Sequence, residues 1–301
     1  MRWAPACIVV VAVLGCRSST SSESQRITPE AQAPPAKISQ RRRQTLDLPG
    51  DGNGAVWDAA ASTLYVTDDT HNRLVAWTGD TTLTAAGAFP AADRPGLGGL
   101  VRLPDQRFVA TSFGFGTHGA VFVLAADGAH AVPNLDPKRR RIGLAQAPSG
   151  ALYVGYFVVE PGSKHTGGVA RLDLAGGETA FVAGDLKKPV GLVATDTTLY
   201  VADQDQLAIY AYALPDPGPP TVIAKDLPSA DHLTRLPNGD LVTGGKKGAV
   251  YRVSLDGRVT TIADGYEHVR GTAYDAAQKR LFVVEHSASS SRHKLHILTL
   301  E

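Results

Sequence analysis

Short segments rich in aliphatic, β-branched and aromatic residues recur along this chain at intervals of 40 to 47 residues. The segments are Thr63–Asp68, Arg107–Ser112, Ala151–Tyr156, Thr198–Asp203, Asp240–Gly245 and Arg280–Glu285. A period of this length with strand-forming residues is typical of β-propeller blades. No stretch repeats its apolar positions every 3.6 residues over several turns, so we expect little helix.

Each repeat has the same internal order, which predicts four antiparallel strands. A small, apolar strand such as Gly191–Ala194 comes first, and the recurring segment is second. A turn such as Asn238-Gly239 joins the two, and Asn-Gly is a strong hairpin signal. In the fifth repeat, Gly248–Val253 and Val259–Ala263 supply the third and fourth strands. The pattern therefore predicts an all-β fold, a six-bladed β-propeller with four antiparallel strands per blade.

The two ends of the repeat region are each incomplete. The sixth repeat reaches only a third strand, Lys294–Leu300, whereas a lone apolar strand, Gln44–Leu48, precedes the first repeat. We predict that this N-terminal strand pairs into the last blade and closes the ring, because pairing covers an open sheet edge. The propeller then comprises residues 42–301.

The first residues have the character of a targeting segment. Arg2 precedes the apolar run Ile8–Leu14, which is too short to span a bilayer but suits a secretory signal. The run ends in Val13-Leu14-Gly15-Cys16, which resembles the bacterial lipoprotein cleavage box. That resemblance implies a signal peptide over residues 1–15 and a lipid on Cys16. Residues 16–41 are rich in Ser and Pro and predict a disordered tether.

These features predict an exported protein of the bacterial cell envelope, held at a membrane through its lipid and facing the periplasm or the cell surface. The 30 basic and 29 acidic side chains nearly cancel, so net charge gives no reason to expect nucleic acid as a partner. The only cysteines are Cys7 and Cys16, so the mature chain has no thiol for a disulfide or a cysteine zinc site. We expect a monomer.

The order of a Gly-Leu strand, a turn and a Leu-Tyr-Val-Ala-Asp strand, as in Gly191–Asp203, resembles NHL-repeat propellers and the senescence-marker-protein/gluconolactonase-like superfamily. The resemblance covers residues 44–301. It implies a divalent cation, often calcium, in the central tunnel, bound by an early Glu and by Asn or Asp just before several inner strands. The equivalent positions of this chain are Asn53, Gly98, Ile142, Val190, Asp231 and Arg270.

Of these six positions, the resemblance leaves Asn53 and Asp231 as candidate metal ligands. Calcium prefers six or more oxygen ligands, and the chain lacks the early Glu-Gly-Pro of the family. Arg270 adds a positive charge to the same ring, which opposes a cation. A calcium site of this type would therefore be degenerate, and no cofactor is certain from the sequence.

Propeller topology gathers polar residues of the fifth and sixth repeats on one face. The candidate catalytic residues there are His232, His268, Glu285 and His286, accompanied by Asp231 and Arg270. A histidine beside a carboxylate can act as a general base or as a metal ligand. The alternative is a polar rim without catalytic function.

Basic residues lie in loops of the same predicted face. The candidate ligand-binding residues are Arg139, Arg140, Arg141, Lys187, Lys188 and Arg270. Together they predict a local positive field that favours an anionic ligand. The alternative is a solvated rim whose charge is balanced by neighbouring aspartates.

Two functions follow from these observations. The first is a non-catalytic module that binds an anionic small molecule, a glycan or an envelope protein. The second is a metal-dependent lactonase or esterase-type hydrolase whose metal site is incomplete. A propeller fold alone favours neither, because one fold supports many functions.

Overall fold

A computed structural model describes residues 43–90, 96–290 and 292–300. Within these residues the chain forms six four-stranded antiparallel sheets arranged in a ring, and the only helix is a 3-10 turn at Gly114–Gly116. The prediction of a six-bladed β-propeller with four strands per blade is confirmed. The predicted signal peptide and tether, residues 1–15 and 16–41, lie outside the described residues.

The strands follow the predicted repeats. After β1 (Arg43–Asp47), the first blade contains β2 (Gly52–Asp58), β3 (Thr63–Asp68), β4 (Arg73–Trp77) and β5 (Thr84–Ala88). The second contains β6 (Leu97–Arg102), β7 (Phe108–Ser112), β8 (Ala120–Ala125) and β9 (Gly128–Ala131). The third contains β10 (Arg140–Gln146), β11 (Leu152–Glu160), β12 (Lys164–Asp173) and β13 (Gly177–Leu186).

The second half of the ring repeats this order. The fourth blade contains β14 (Pro189–Ala194), β15 (Thr198–Asp203), β16 (Ala208–Ala213) and β17 (Thr221–Ala224). The fifth contains β18 (Thr234–Arg235), β19 (Leu241–Thr243), β20 (Ala249–Val253) and β21 (Val259–Asp264). The sixth contains β22 (His268–Asp275), β23 (Arg280–His286) and β24 (Lys294–Thr299), with β1 as its outer strand.

The outer strand β1 joins the N-terminal part of the propeller to the last blade. It pairs antiparallel with β24, and Leu46 lies opposite Leu295 in the register. Leu46 is 7% exposed and packs in a cluster with residues of the first and sixth blades, including Phe282. Among the described residues, no helix has the length and apolar character needed to cross a bilayer.

The innermost strands of neighbouring blades lie so close that side chains are excluded at some positions. A Cβ added to Gly191 would lie 2.2 Å from the carbonyl oxygen of Asp231, and one added to Gly271 would lie 2.0 Å from that of Asn53. Glycine is therefore required where the inner strands approach, as is typical of close backbone contacts. The same contacts hold Asn53 and Asp231 at the central axis.

Candidate functional site

A cavity of about 250 Å³ opens on the central axis. Five of the six inner-strand positions compared above line it, namely Asn53, Gly98, Ile142, Asp231 and Arg270. The other polar side chains of the lining are Asp69, Lys188, Gln204, Lys246 and His268, and Phe113 and Phe115 form an aromatic wall. Because sites for drug-sized ligands occupy roughly 300–1,000 Å³, this cavity suits a smaller, polar ligand.

An Asp–His pair lies in the cavity between the fifth and sixth blades. The Nε2 atom of His268 lies 3.3 Å from Oδ2 of Asp231, and Gln204 donates its Nε2–H to the same oxygen at 3.0 Å. The backbone N–H of His232 donates to Oδ1 of Asp231 at 3.0 Å. The carboxylate is therefore held in place, and it orients His268 with Nε2–H as the donor. The Nδ1 lone pair of His268 then remains as a base.

Asn53 and His232 form a second contact across the axis. The two residues are joined by a 3.1 Å contact between Asn53 Oδ1 and His232 Nε2, and Asn53 donates its Nδ2–H to the carbonyl oxygen of Leu97 at 2.9 Å. Burial lowers the pKa of His232, which favours the neutral imidazole. Neutral His232 can donate its Nε2–H to Asn53, so both ends of the Asn53 amide are occupied.

Positive and negative side chains alternate around the rest of the cavity. Lys188 donates its Nζ–H to Gln204 Oε1 at 2.6 Å, and burial lowers the pKa of Lys188. Arg270 Nη1 lies 2.9 Å from Oδ2 of Asp51 and 3.6 Å from Oδ2 of Asp69. Burial raises the pKa of Asp69 to about 6, against the opposing effect of Arg270. Asp69 is thus a carboxyl group that changes charge near neutral pH.

The residues of the cavity do not fit a calcium centre. Calcium takes six to eight oxygen ligands, many of them carboxylates. In the ring of inner-strand positions, only Asn53 and Asp231 carry oxygen donors, and their oxygens already accept hydrogen bonds. Three cationic side chains, Lys188, Lys246 and Arg270, line the same cavity. No step of a reaction is therefore assigned to calcium at this position.

The structure divides the predicted catalytic cluster. His232 and His268 contact the Asn53 and Asp231 side chains, whereas Glu285 does not reach the cavity. Glu285 Oε2 lies 2.6 Å from Nε2 of His296, and Oε1 accepts the backbone N–H of Glu267 at 2.6 Å. The structure therefore separates Glu285 from His286, because successive residues of a strand point to opposite sides.

The predicted basic patch is divided in the same way. Arg141 is fully buried and pairs with Glu178 Oε1 at 2.8 Å, so the structure places it away from the predicted surface patch. Arg139 pairs with the same oxygen at 2.8 Å and covers the ring of Tyr156 at 3.9 Å.

The other basic residues lie nearer the axis. Arg140 lies over the ring of Phe113, with its guanidinium carbon 5.1 Å from the centroid, beside the cavity. Lys188 and Arg270 line the cavity itself, whereas Lys187 is exposed outside it.

Four cavity residues share one place in the repeat. Each follows directly after one of the recurring segments: Asp69, Phe113, Gln204 and Lys246. His286 occupies the same place in the sixth repeat and lies at the rim, where its Nδ1 is 2.9 Å from Asp51 Oδ1. In four of the six repeats the residue after the recurring segment therefore lines the cavity, and alignment of the repeats identifies it. In the third repeat the same place holds Phe157, which is buried and does not line the cavity.

Comparisons with known proteins agree with this architecture. A family model described as SMP-30/Gluconolactonase/LRE-like region matches residues 51–231. A gluconolactonase from Xanthomonas campestris is similar in structure, with a TM-score of 0.70 and 22% identity over 90% of this chain and 96% of its own. No curated protein sequence matches this chain.

Two further solved structures extend the comparison. Regucalcin from Agrobacterium tumefaciens, a calcium-binding protein, has a TM-score of 0.67 and 17% identity over 89% of this chain and 97% of its own. Virginiamycin B lyase from Staphylococcus aureus has a TM-score of 0.60 and 14% identity over 86% of this chain and 99% of its own. Identities this low show a shared fold, and the chemistry must be argued from the residues of the cavity.

Proposed function

This chain belongs to the SMP-30/gluconolactonase/LRE-like family, and on that premise we propose that it hydrolyses a small anionic lactone or a related ester in the central cavity. The observation that carries the proposal is the His268–Asp231 pair, which lies in a cavity also lined by Lys188, Lys246 and Arg270. A general base and positive charge near the carbonyl oxygen both accelerate the attack of water on an ester carbonyl.

The proposed reaction uses the side chains of the cavity. Asp231 orients His268, whose Nδ1 takes a proton as the water oxygen bonds to the lactone carbonyl carbon. The positive charges of the cavity stabilise the negative charge that develops on the carbonyl oxygen. The ring C–O bond then breaks, the alkoxide takes the proton back from His268, and the product is a hydroxy acid. Lys188, Lys246 and Arg270 also favour substrates that carry a carboxylate of their own.

The test is hydrolysis of a panel of sugar lactones with and without a carboxylate, measured for the wild type and for His268→Ala and Asp231→Asn. Loss of a positioned general base should lower kcat by roughly 10²- to 10⁴-fold. The matched control is His130→Ala, because His130 also lies 3.3 Å from an aspartate, Asp127, but on the outer hairpin of the second blade. A His268→Ala enzyme as active as the control would reject the proposed base.

Charge specificity gives a second readout. Lys188→Gln and Lys246→Gln should raise KM for a carboxylated lactone, while KM for a neutral lactone of the same ring size changes little. Equal changes in KM for both substrates would mean that the lysines do not recognise the carboxylate, and the proposed preference for anionic lactones would be rejected.

A second candidate is the non-catalytic module for an anionic ligand, favoured by the same three cations. Calorimetric titration with a sugar-acid carboxylate separates the two functions. Binding that needs Lys188 and Lys246 but is accompanied by no turnover of any lactone favours the module. Turnover that depends on His268 favours the hydrolase.

We also propose that Cys16 carries a lipid that holds the protein at the cell envelope. The support is the sequence Val13-Leu14-Gly15-Cys16 at the end of an apolar run. Mass spectrometry of the mature N-terminus should find an acylated Cys16, and Cys16→Ser should release the protein from the membrane fraction. A wild-type protein without acylation, recovered in the soluble fraction, would exclude the anchor.

A further inference from the structure

A second group of ligand-type side chains converges at the rim, beside the cavity. Oδ1 of Asp51 lies 2.9 Å from Nδ1 of His286 and 3.5 Å from Nδ1 of His293. The ligand atoms of the three residues all lie within 4.8 Å of one another. The two imidazole rings stack with their centroids 5.1 Å apart and 20° between their planes. Two imidazole nitrogens therefore face one carboxylate oxygen.

Other contacts hold Asp51 in position and leave its Oδ1 atom facing the two imidazole rings. Its backbone N–H donates to Oγ1 of Thr70 at 2.9 Å, and its carbonyl oxygen accepts the N–H of Asp69 at 2.7 Å. Its other carboxylate oxygen, Oδ2, accepts from Arg270 at 2.9 Å. A carboxylate fixed through one oxygen and presented through the other is the arrangement that orients metal ligands.

We propose that Asp51, His286 and His293 bind a first-row transition-metal dication of the zinc class. Two imidazole nitrogens with one carboxylate oxygen suit zinc, nickel, cobalt or copper, whereas calcium and magnesium prefer oxygen ligands throughout. The three side chains are 11% to 23% exposed, so an ion can enter and water can complete its coordination. The metal would replace the Ser287 N–H that now donates to Nδ1 of His293 at 3.2 Å.

The location of the site gives the metal a structural consequence. Asp51 lies between β1 and the first blade, His286 ends β23, and His293 directly precedes β24. The backbone N–H of Leu48 also donates to the carbonyl oxygen of His293 at 2.9 Å. Asp51 and His286 are 235 residues apart in the chain, so an ion bound to both joins the first and last blades. Binding should therefore stabilise the closed ring against unfolding.

The experiment is a titration of the full chain with zinc, followed by isothermal calorimetry and by the melting temperature. Cys7 and Cys16 are replaced by serine in every sample, so that no thiol competes for the metal. We expect one equivalent of zinc to bind and to raise the melting temperature, and an equal concentration of calcium to leave it unchanged. His286→Ala should weaken zinc binding at least tenfold.

The matched control is His71→Ala. The Nδ1 atom of His71 also lies 2.9 Å from a carboxylate oxygen of Asp68. The His286–Asp51 pair differs from the His71–Asp68 pair because a second histidine, His293, lies beside it. The control should bind zinc as the parent chain does. Zinc binding that survives His286→Ala, or a melting temperature that zinc does not raise, would overturn the proposal.

One further measurement is independent of the stability of the variants. Copper(II) bound to the unsubstituted site should show two coordinated imidazoles in pulsed electron paramagnetic resonance. One imidazole or none would overturn the proposal even if His286→Ala failed to fold. Because the readouts are binding, spectra and melting, they do not depend on lactone hydrolysis.

Discussion

The contribution of the outer strand β1 can be tested by Leu46→Ala. Leu46 is 7% exposed and contacts a core cluster that spans the first and sixth blades. It lies opposite Leu295 of β24, and three residues after Leu48 the chain reaches Asp51 at the rim of the cavity. Loss of the Leu46 side chain should therefore weaken both the outer strand of the sixth blade and the segment that positions Asp51.

The magnitude follows from the burial of the side chain. Leu→Ala substitutions at buried positions cost about 2–5 kcal/mol, and the cost is smaller where neighbours can relax into the space. An outer strand permits more relaxation than the middle of a sheet, so we expect about 2–3 kcal/mol. For a domain of this size, 1 kcal/mol corresponds to roughly 2–4 °C. The melting temperature should then fall by about 5–10 °C.

The assay is thermal unfolding followed by circular dichroism, with Gln44→Ala as the control on the same strand. Gln44 is exposed, and exposed substitutions usually change stability by no more than about 0.5 kcal/mol. If Leu46→Ala melts within about 2 °C of Gln44→Ala, β1 does not contribute packing to the propeller. The packing argument for this strand would then be refuted.

Three further substitutions test buried charge. Asp69→Asn should stabilise the protein above pH 6 by up to about 3 kcal/mol and have little effect near pH 4, because a carboxyl pKa raised from 3.8 to about 6 costs stability as the group ionises. Urea unfolding with chelator at both pH values measures this difference, and equal stabilisation at both would contradict it. Glu178→Gln leaves the buried Arg141 without its carboxylate and should cost about 3–5 kcal/mol in urea unfolding; a loss under 1 kcal/mol would contradict it. Asp203→Asn should raise KM for an anionic lactone more than KM for a neutral lactone, because it displaces Lys188; equal changes in the two KM values would contradict it.

The architecture was predictable because the repeat determines it locally. Each recurring segment became the second strand of a blade, as in Thr63–Asp68 and Thr198–Asp203. Alternating apolar residues bury one face of such a strand, and the turns between strands fix the register. The aspartates that end two of these segments, Asp68 and Asp203, brace the loops that follow them. Asp68 accepts the N–H of His71 at 3.2 Å, and Asp203 accepts the N–H groups of Asp205 and Gln206, each at 3.1 Å.

The charges were less predictable because their partners are distant in sequence. Arg141 belongs to a basic run that suggested a surface patch, yet Glu178, 37 residues later, pairs with it in the interior. The composition of a loop does not show which of its side chains turns inward. Arg270 was correctly expected at the axis, but its partner Asp51 lies 219 residues away, and only the closed ring brings the two together.

Two adjacent positions of the repeat have different roles: one holds a loop in place and the next lines the cavity. This difference explains why family members share the fold more closely than they share the residues at the axis. Asp203 is fully buried and accepts the backbone N–H groups of Lys187 and Lys188, so it holds the loop that brings Lys188 to the axis. The next residue, Gln204, lines the cavity, where its side chain donates to Asp231 and accepts from Lys188. In the fifth repeat the same place holds Lys246, a cation, with a glycine before it.

In the fourth blade the bracing residue is constrained by the backbone N–H groups whose hydrogen bonds it accepts, whereas the residue after it lines the cavity. Gly191 and Gly271 are constrained in the same way as the bracing residues, because the inner strands leave no room for a side chain. A propeller can therefore keep its blades while the residues at its axis change. For this reason 22% identity to a gluconolactonase accompanies the same fold, and the substrate must be inferred from His268, Lys188 and Arg270.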